Sequence, residues 1–300
     1  MTSSVTRLLA LLVLQCNIAA CGSAGDGLCT RDEECESNFC RTDGTCGPTG
    51  VDAPPAADAP PDGPSALCTP NNDGMISANE LPLVAGRMAR FRIATDVTFD
   101  TAGVASGNGT RRWDLTGQLA GDADATVALK PPAGQWWESK FPGASYALTL
   151  ASGSDLMGVF AVGASDVRLL GVVSPEAGSF RTELVYDPPA TLLAMPFGNG
   201  ATWSSTSTVS GLAQGVIIAY TERYASRVDQ VGTMVTPYGE FPVVRVATDL
   251  TRTQGLATLA TSRTFAWAAE CFGSVANVTS RSFESSSEFT NAAEVRRLIP

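Results

Sequence analysis

The chain holds no histidine and only two lysines, Lys130 and Lys140. Triads and dyads built on an imidazole base are therefore excluded, and so is every histidine metal site. Carboxylates remain. Hydrolysis of a glycosidic bond needs only two of them flanking the bond, and Glu183, Asp187, Glu222, Asp229 and Glu240 are available. Their spacing singles out no pair, and acids on strands are ordinarily solvated. No nucleophile elbow, phosphate-binding loop, dinucleotide fingerprint or Ser-x-x-Lys set occurs in the 300 residues. The residue inventory favours a binding or structural role over an enzymatic one.

Sulfur is the other reactive element, with eight cysteines. Arg7 precedes the apolar run Leu8–Leu14, which is too short to span a bilayer, and small residues follow. This is the pattern of a secretory signal, assigned to residues 1–20. The stretch Ile18-Ala19-Ala20-Cys21 resembles a bacterial lipobox. The resemblance implies that Cys21 is lipidated and opens the mature chain, which is then anchored to a membrane without crossing it. Gly22-Ser23 lacks the Asp that retains such proteins at the inner membrane, so the outer membrane is the expected location. An exported protein meets an oxidising compartment, where leftover thiols pair. Cys16 leaves with the signal, and Cys29, Cys35, Cys40 and Cys46 form a tight group of two bridges. Cys68 and Cys271 then make the third.

Cys29, Cys35, Cys40 and Cys46 are spaced C-x5-C-x4-C-x5-C. A segment this small buries no core, so cross-links must replace one. Spacing alone leaves the connectivity open. The module, within residues 21–47, resembles the N-terminal cysteine-rich module of Dickkopf-type proteins, and that resemblance implies Cys29–Cys40 with Cys35–Cys46. Residues 48–66 are rich in Pro, Asp and Ala and read as an extended, semi-rigid spacer. Nine acids oppose Arg31 and Arg41 between residues 21 and 67, which leaves only −4 of the formal −10 for the remainder. The acidity belongs to the arm, and no basic block offers a nucleic-acid footprint. The combination of cysteine module and Pro-rich spacer is similar to that of myxobacterial envelope lipoproteins.

Cys68 is followed by Thr69-Pro70-Asn71-Asn72-Asp73-Gly74-Met75-Ile76-Ser77-Ala78-Asn79-Glu80. Aligned on Gly74, this resembles an EF-hand calcium loop. The resemblance implies hard oxygen ligands from Asn71, Asp73, the Met75 carbonyl, Ser77 and Glu80, with structural Ca²⁺ as the one candidate cofactor. Thr69 stands where the family has Asp, and Pro82 forbids a normal exit helix. Any affinity is expected to be weak, on the order of 10⁻⁴ to 10⁻³ M. A turn nucleated by Asn-Asp-Gly and pinned by Cys68 accounts for the same residues.

From residue 88 the pattern has period two, as half-buried strands require. Phe91–Phe99 alternates, and Tyr146–Leu150, Leu156–Val162, Val167–Val173 and Leu184–Tyr186 follow at short intervals. Longer strands are expected over Val216–Val228, Gly232–Thr236, Gly239–Thr251, Ser262–Phe272 and Val275–Phe283, with a turn at Pro237-Tyr238-Gly239. Phe265, Trp267, Ala269 and Cys271 would share one face. One short helix is expected near Asn291–Leu298. Of Trp136 and Trp137, one should face the core and the other cover a loop. The expectation is an all-β fold: a single large antiparallel domain over residues 67–300, built as a curved sheet, sandwich or partial barrel. A small disulfide-rich module and a Pro-rich stalk precede it. The run Gly232–Val246 is similar in pattern to half-barrel carriers of the lipoprotein-localisation type. That resemblance implies an apolar cavity lined by Val216, Ile218, Val244, Val246 and Trp267. The expected partners are a membrane, through the anchor, and an unknown protein or small-molecule ligand.

Overall fold

Alternating sequence becomes strand wherever one face can be buried, and here nearly every alternating stretch does. The computed structural model describes residues 68–300; Cys21 and the Cys29, Cys35, Cys40 and Cys46 module lie outside the described residues. The strands run β1 (Met75–Ile76), β2 (Met88–Thr98), β3 (Val104–Ala105), β4 (Arg111–Asp114), β5 (Ala123–Ala128), β6 (Tyr146–Thr149), β7 (Met157–Val162) and β8 (Asp166–Val173). They continue with β9 (Glu183–Ala194), β10 (Phe197–Gly198), β11 (Thr202–Ala213), β12 (Val216–Thr236), β13 (Gly239–Gln254), β14 (Ala257–Ala269), β15 (Gly273–Ser280) and β16 (Asn291–Leu298). Two 3₁₀ turns, Ala78–Glu80 and Glu138–Lys140, are the only helical segments among the described residues.

Twelve strands form one path in the order β5-β2-β16-β15-β14-β13-β12-β11-β9-β8-β7-β6. Every pairing along it is antiparallel, and β4 adds a parallel pairing with β12. The two ends of the path then meet. Leu129 continues the β5 ladder by bonding Gly86 and Arg87, and Lys130 exchanges both backbone hydrogen bonds with Ala147 of β6 at 2.8 and 2.9 Å. The result is a nearly closed barrel, which removes the unpaired edges an open sheet would expose.

Parity separates the faces. On β13, Val244, Val246, Leu250 and Arg252 point into the barrel, while Phe241, Val243, Arg245 and Ala247 point out. On β12 a bulge at Asp229 shifts the register between Val228 and Gln230 and reverses the parity. Val228 therefore faces the interior, whereas Met234 faces the exterior. The two expected strands 216–228 and 232–236 are one strand bent at this bulge.

The exterior apolar face is covered rather than wet. Phe99, Trp113, Leu115 and Leu119 from the β2–β5 connection, with Phe289, pack on Phe265, Trp267 and Val278. Two arginines fasten this cover. Arg245, 1% exposed, holds Asp229 at 2.9 and 3.0 Å, Glu288 at 2.6 and 3.1 Å and the Thr101 carbonyl at 2.6 Å, with its guanidinium 4.2 Å from the Phe265 ring centre. Arg297 holds Asp122 and the Gly117 carbonyl. A buried guanidinium with its donors engaged on three separate segments fixes those segments more sharply than apolar contact alone.

The short helix expected at Asn291–Leu298 is instead β16, paired with both β15 and β2. Its helix-favouring Ala, Glu and Arg are overridden because the strand closes the sheet, with Ala292, Val295 and Arg297 buried. Phe265, Trp267 and Ala269 share the covered face as expected. Cys271 does not join them: it lies in the β14–β15 turn with φ +67°. Its bridge to Cys68 is present, with Cα atoms 5.4 Å apart. Trp137 is fully buried with Phe141, Met157 and Val173, while the half-buried Trp136 donates to the Ser174 carbonyl at 3.0 Å.

Candidate functional site

All hairpin geometry sorts onto two ends of the barrel. At one end lie the turns β12–β13 and β14–β15, the β9–β11 connection and Cys68–Cys271. This end is closed. Ile76 and Leu81, 2% and 8% exposed, push in with Phe197 against Val228, Val244 and Val246, and β1 pairs with β10 to hold them there. The segment after Cys68 is thus the barrel's plug.

Toward the other end the interior opens into a cavity of about 1050 Å³. Leu156, Leu169, Leu184, Leu192, Ile218 and Leu250 supply its apolar surface. A polar cluster is set among them. Strand register sets Glu222 of β12 directly opposite Arg252 of β13, and Tyr186, Tyr220 and Tyr224 share their face of the sheet. Glu222 is 1% exposed. Its Oε2 accepts from Tyr186 Oη at 2.9 Å and Tyr224 Oη at 2.6 Å, and its Oε1 accepts from Arg252 Nε at 2.9 Å and Nη2 at 2.7 Å. A buried carboxylate normally costs several kcal/mol, and four donors including one cation offset that. The Arg252 guanidinium lies 4.5 Å from the Tyr220 ring centre.

The electrostatics follow from this packing. Burial raises the Tyr186 phenol far above its usual range, and the Glu222 charge beside it adds to the effect. Tyr224 is raised by burial first, then by Tyr186 and Glu222. Burial is the largest influence on Arg252 and opposes its charge, but the hydrogen bond to Glu222 and the surrounding Tyr220, Glu222 and Tyr186 together overcome it and raise the guanidinium above its usual range. A second pair lines the wall from β16, where Arg296 binds Glu294. Glu294 also accepts from Ser152 N at 2.8 Å, and Arg296 donates to the Leu150 carbonyl at 3.0 Å, so this pair straps the β6–β7 loop over the opening.

Of the five acids that could have formed a hydrolytic pair, only Glu222 reaches the cavity. Glu183 pairs with Lys140 and Arg181, Asp229 with Arg245, Glu240 with Arg112, and Asp187 is exposed. A solvated strand face was the wrong expectation for Glu222, and alternation held the signal: Ile218, Tyr220, Glu222 and Tyr224 occupy one parity. Of the five residues expected to line an apolar cavity, Ile218 does so. Val244 and Val246 are buried in the plugged end, Trp267 is on the outer face and Val216 is 63% exposed.

The 69–80 loop keeps its carboxylates busy internally. Asp73 Oδ1 accepts from Met75 N at 2.7 Å, and Asn71 bonds Asp73 through both ends of its amide. Glu80, 6% exposed, accepts from Ser77 N at 2.8 Å and Ser77 Oγ at 2.6 Å, capping the 3₁₀ turn. Both bonds fall on Oε2, so bidentate ligation by Glu80 would compete with that cap. Among the described residues no three His, Cys, Asp or Glu side chains converge as a metal site.

No protein-family model, curated protein or solved structure matches this chain.

Proposed function

We propose that this protein is an exported, lipid-anchored envelope protein whose role is binding rather than catalysis, and that its barrel takes a neutral amphiphile into the lumen. The observation that carries the reading is the charge balance of the cavity. The guanidiniums on its wall are each matched by a carboxylate, Arg252 by Glu222 and Arg296 by Glu294, while Asp155 sits at the exposed rim. A charged head group would enter with no unpaired opposite charge deep in the site to offset its desolvation. A hydroxyl, ester or amide head can hydrogen-bond the polar cluster while its chain packs on the leucines around it. The size suits this, because pockets for such ligands run about 300–1,000 Å³.

The test uses the chain from Gly22 onward and the neutral fluorophore N-phenyl-1-naphthylamine. Saturable fluorescence gain is expected, and Leu184→Asp or Leu250→Trp should abolish it. Unchanged binding in both variants sinks the lumen as the site.

A further inference from the structure

The cavity mouth carries an apolar crown. Register places the β6–β7, β8–β9, β11–β12, β13–β14 and β15–β16 connections at one end: Met157 pairs with Thr149 and Val173, Val173 with Glu183, Glu183 with Leu212, and Ala213 with Val216. At this end Phe180, 85% exposed, and Leu256, 107%, project from connections, Ile217, 83%, from the start of β12, with Val216 and Phe283 also exposed there. Exposed aliphatic residues scattered singly need no explanation. Here they sit on the tips of separate loops around one opening. The β13–β14 hairpin also runs on beyond the last β14–β15 pair among its neighbours, Thr264 with Thr279. Residues 207–221 and 253–262 contain no Asp, Glu, Lys or Arg.

We propose that these tips seat the open end of the barrel on a lipid bilayer. Separate apolar prongs around a hole suit a fluid apolar phase, which fills in around each one. A rigid partner, or a second copy, would have to match every prong and would leave the mouth unfilled. The absence of charge on the β11–β12 and β13–β14 tips allows them to enter the interface without ion desolvation. Charge is confined to the flanking loops, where Asp155, Glu176, Glu284 and Glu288 accompany Arg181 and Arg281, so the attraction is hydrophobic and not electrostatic. The outer wall does not span the bilayer, because β12–β14 carry there a ladder of Arg227, Asp249 and Arg263 where lipid would require an apolar band. This contact is separate from the lipid on Cys21 and stands whether or not the lumen binds a ligand.

The experiment is co-sedimentation of the chain from Gly22 onward, which lacks the lipidated cysteine, with phosphatidylcholine vesicles. Wild type is expected to partition onto them equally at low and high salt. Ile217→Ser combined with Leu256→Ser should reduce the partition coefficient at least ~10-fold, as expected for removing two inserted side chains. Met88→Ser combined with Val104→Ser removes side chains exposed at 70% and 71% away from the mouth and should change nothing. All four positions are solvent-exposed, so circular dichroism should stay unchanged and loss of fold is separable from loss of binding. Wild type left in the supernatant overturns the proposal, as does an equal loss in both double variants. Self-association without vesicles, abolished by the tip substitutions, would assign the crown to a second copy and overturn it too. Fluorophore loading of the lumen is read separately, so either proposal can fail alone.

Discussion

The phenols make alkaline unfolding a direct probe of the lumen. Tyr186 and Tyr224 donate to a buried carboxylate, and Tyr146 is 2% exposed, stacked on Phe160 with ring centres 5.2 Å apart. All three are raised well above the usual phenol range, with burial the largest cause in each. The sign follows from linkage. Below pH ~10 the tyrosines are neutral in folded and unfolded chain alike, and their full contribution is present. Above ~10 the unfolded chain ionises and the folded one does not, so stability falls until the folded pKa is passed. Each phenol removes about 1.4 kcal/mol per pH unit, and three together about 4 kcal/mol.

A domain with 5–15 kcal/mol to lose should therefore unfold about one to four units above pH 10. Tyrosinate absorbance and circular dichroism recorded on one base titration provide the assay. Three phenols should ionise in a single step coincident with loss of β signal. Tyr146→Phe supplies the control: burial alone raises this phenol, so removing its hydroxyl should lower the slope to about 3 kcal/mol per unit with little loss of packing. If all tyrosines ionise near pH 10 while the barrel stays intact, the lumen is open to water and the cluster is not buried as described.

Other tests probe the frame around the lumen. Arg245→Met should strand Asp229 and Glu288 and lose the clasp on Thr101, costing about 3 kcal/mol, a fall in melting temperature of about 6–12 °C; a loss under ~1 kcal/mol would mean the cover is held by apolar contact alone. Cys68→Ser should leave Cys271 open to alkylation in native protein, and the loop closed across 203 residues limits the stability loss to about 5 kcal/mol. Protection of Cys271 in that variant would show burial to be what shields it. Glu80→Ala should cost about 1 kcal/mol through the lost cap, equally with calcium or chelator. A calcium-induced rise in melting temperature that this substitution abolishes would instead make Glu80 a ligand.

The strands were legible because burial on one side leaves a period-two trace that survives without tertiary information. The long β13 and β14 could be read from residues such as Phe265 and Trp267. The fate of each face could not. In a barrel with a covered exterior both faces are apolar over long stretches, so Val244 and Trp267 look equivalent in sequence although one points inward and the other outward. A single inserted residue, Asp229, reverses the parity of β12, and nothing local marks it. The helix expected at 291–298 failed because Ala-Ala-Glu-Val-Arg-Arg satisfies helical preference, while the decision was made by two neighbouring strands needing a third between them. Glu222 was hidden by the general habit of strand acids to face water. Only the aromatic residues two positions to either side reveal its direction, and only register brings Arg252 to it.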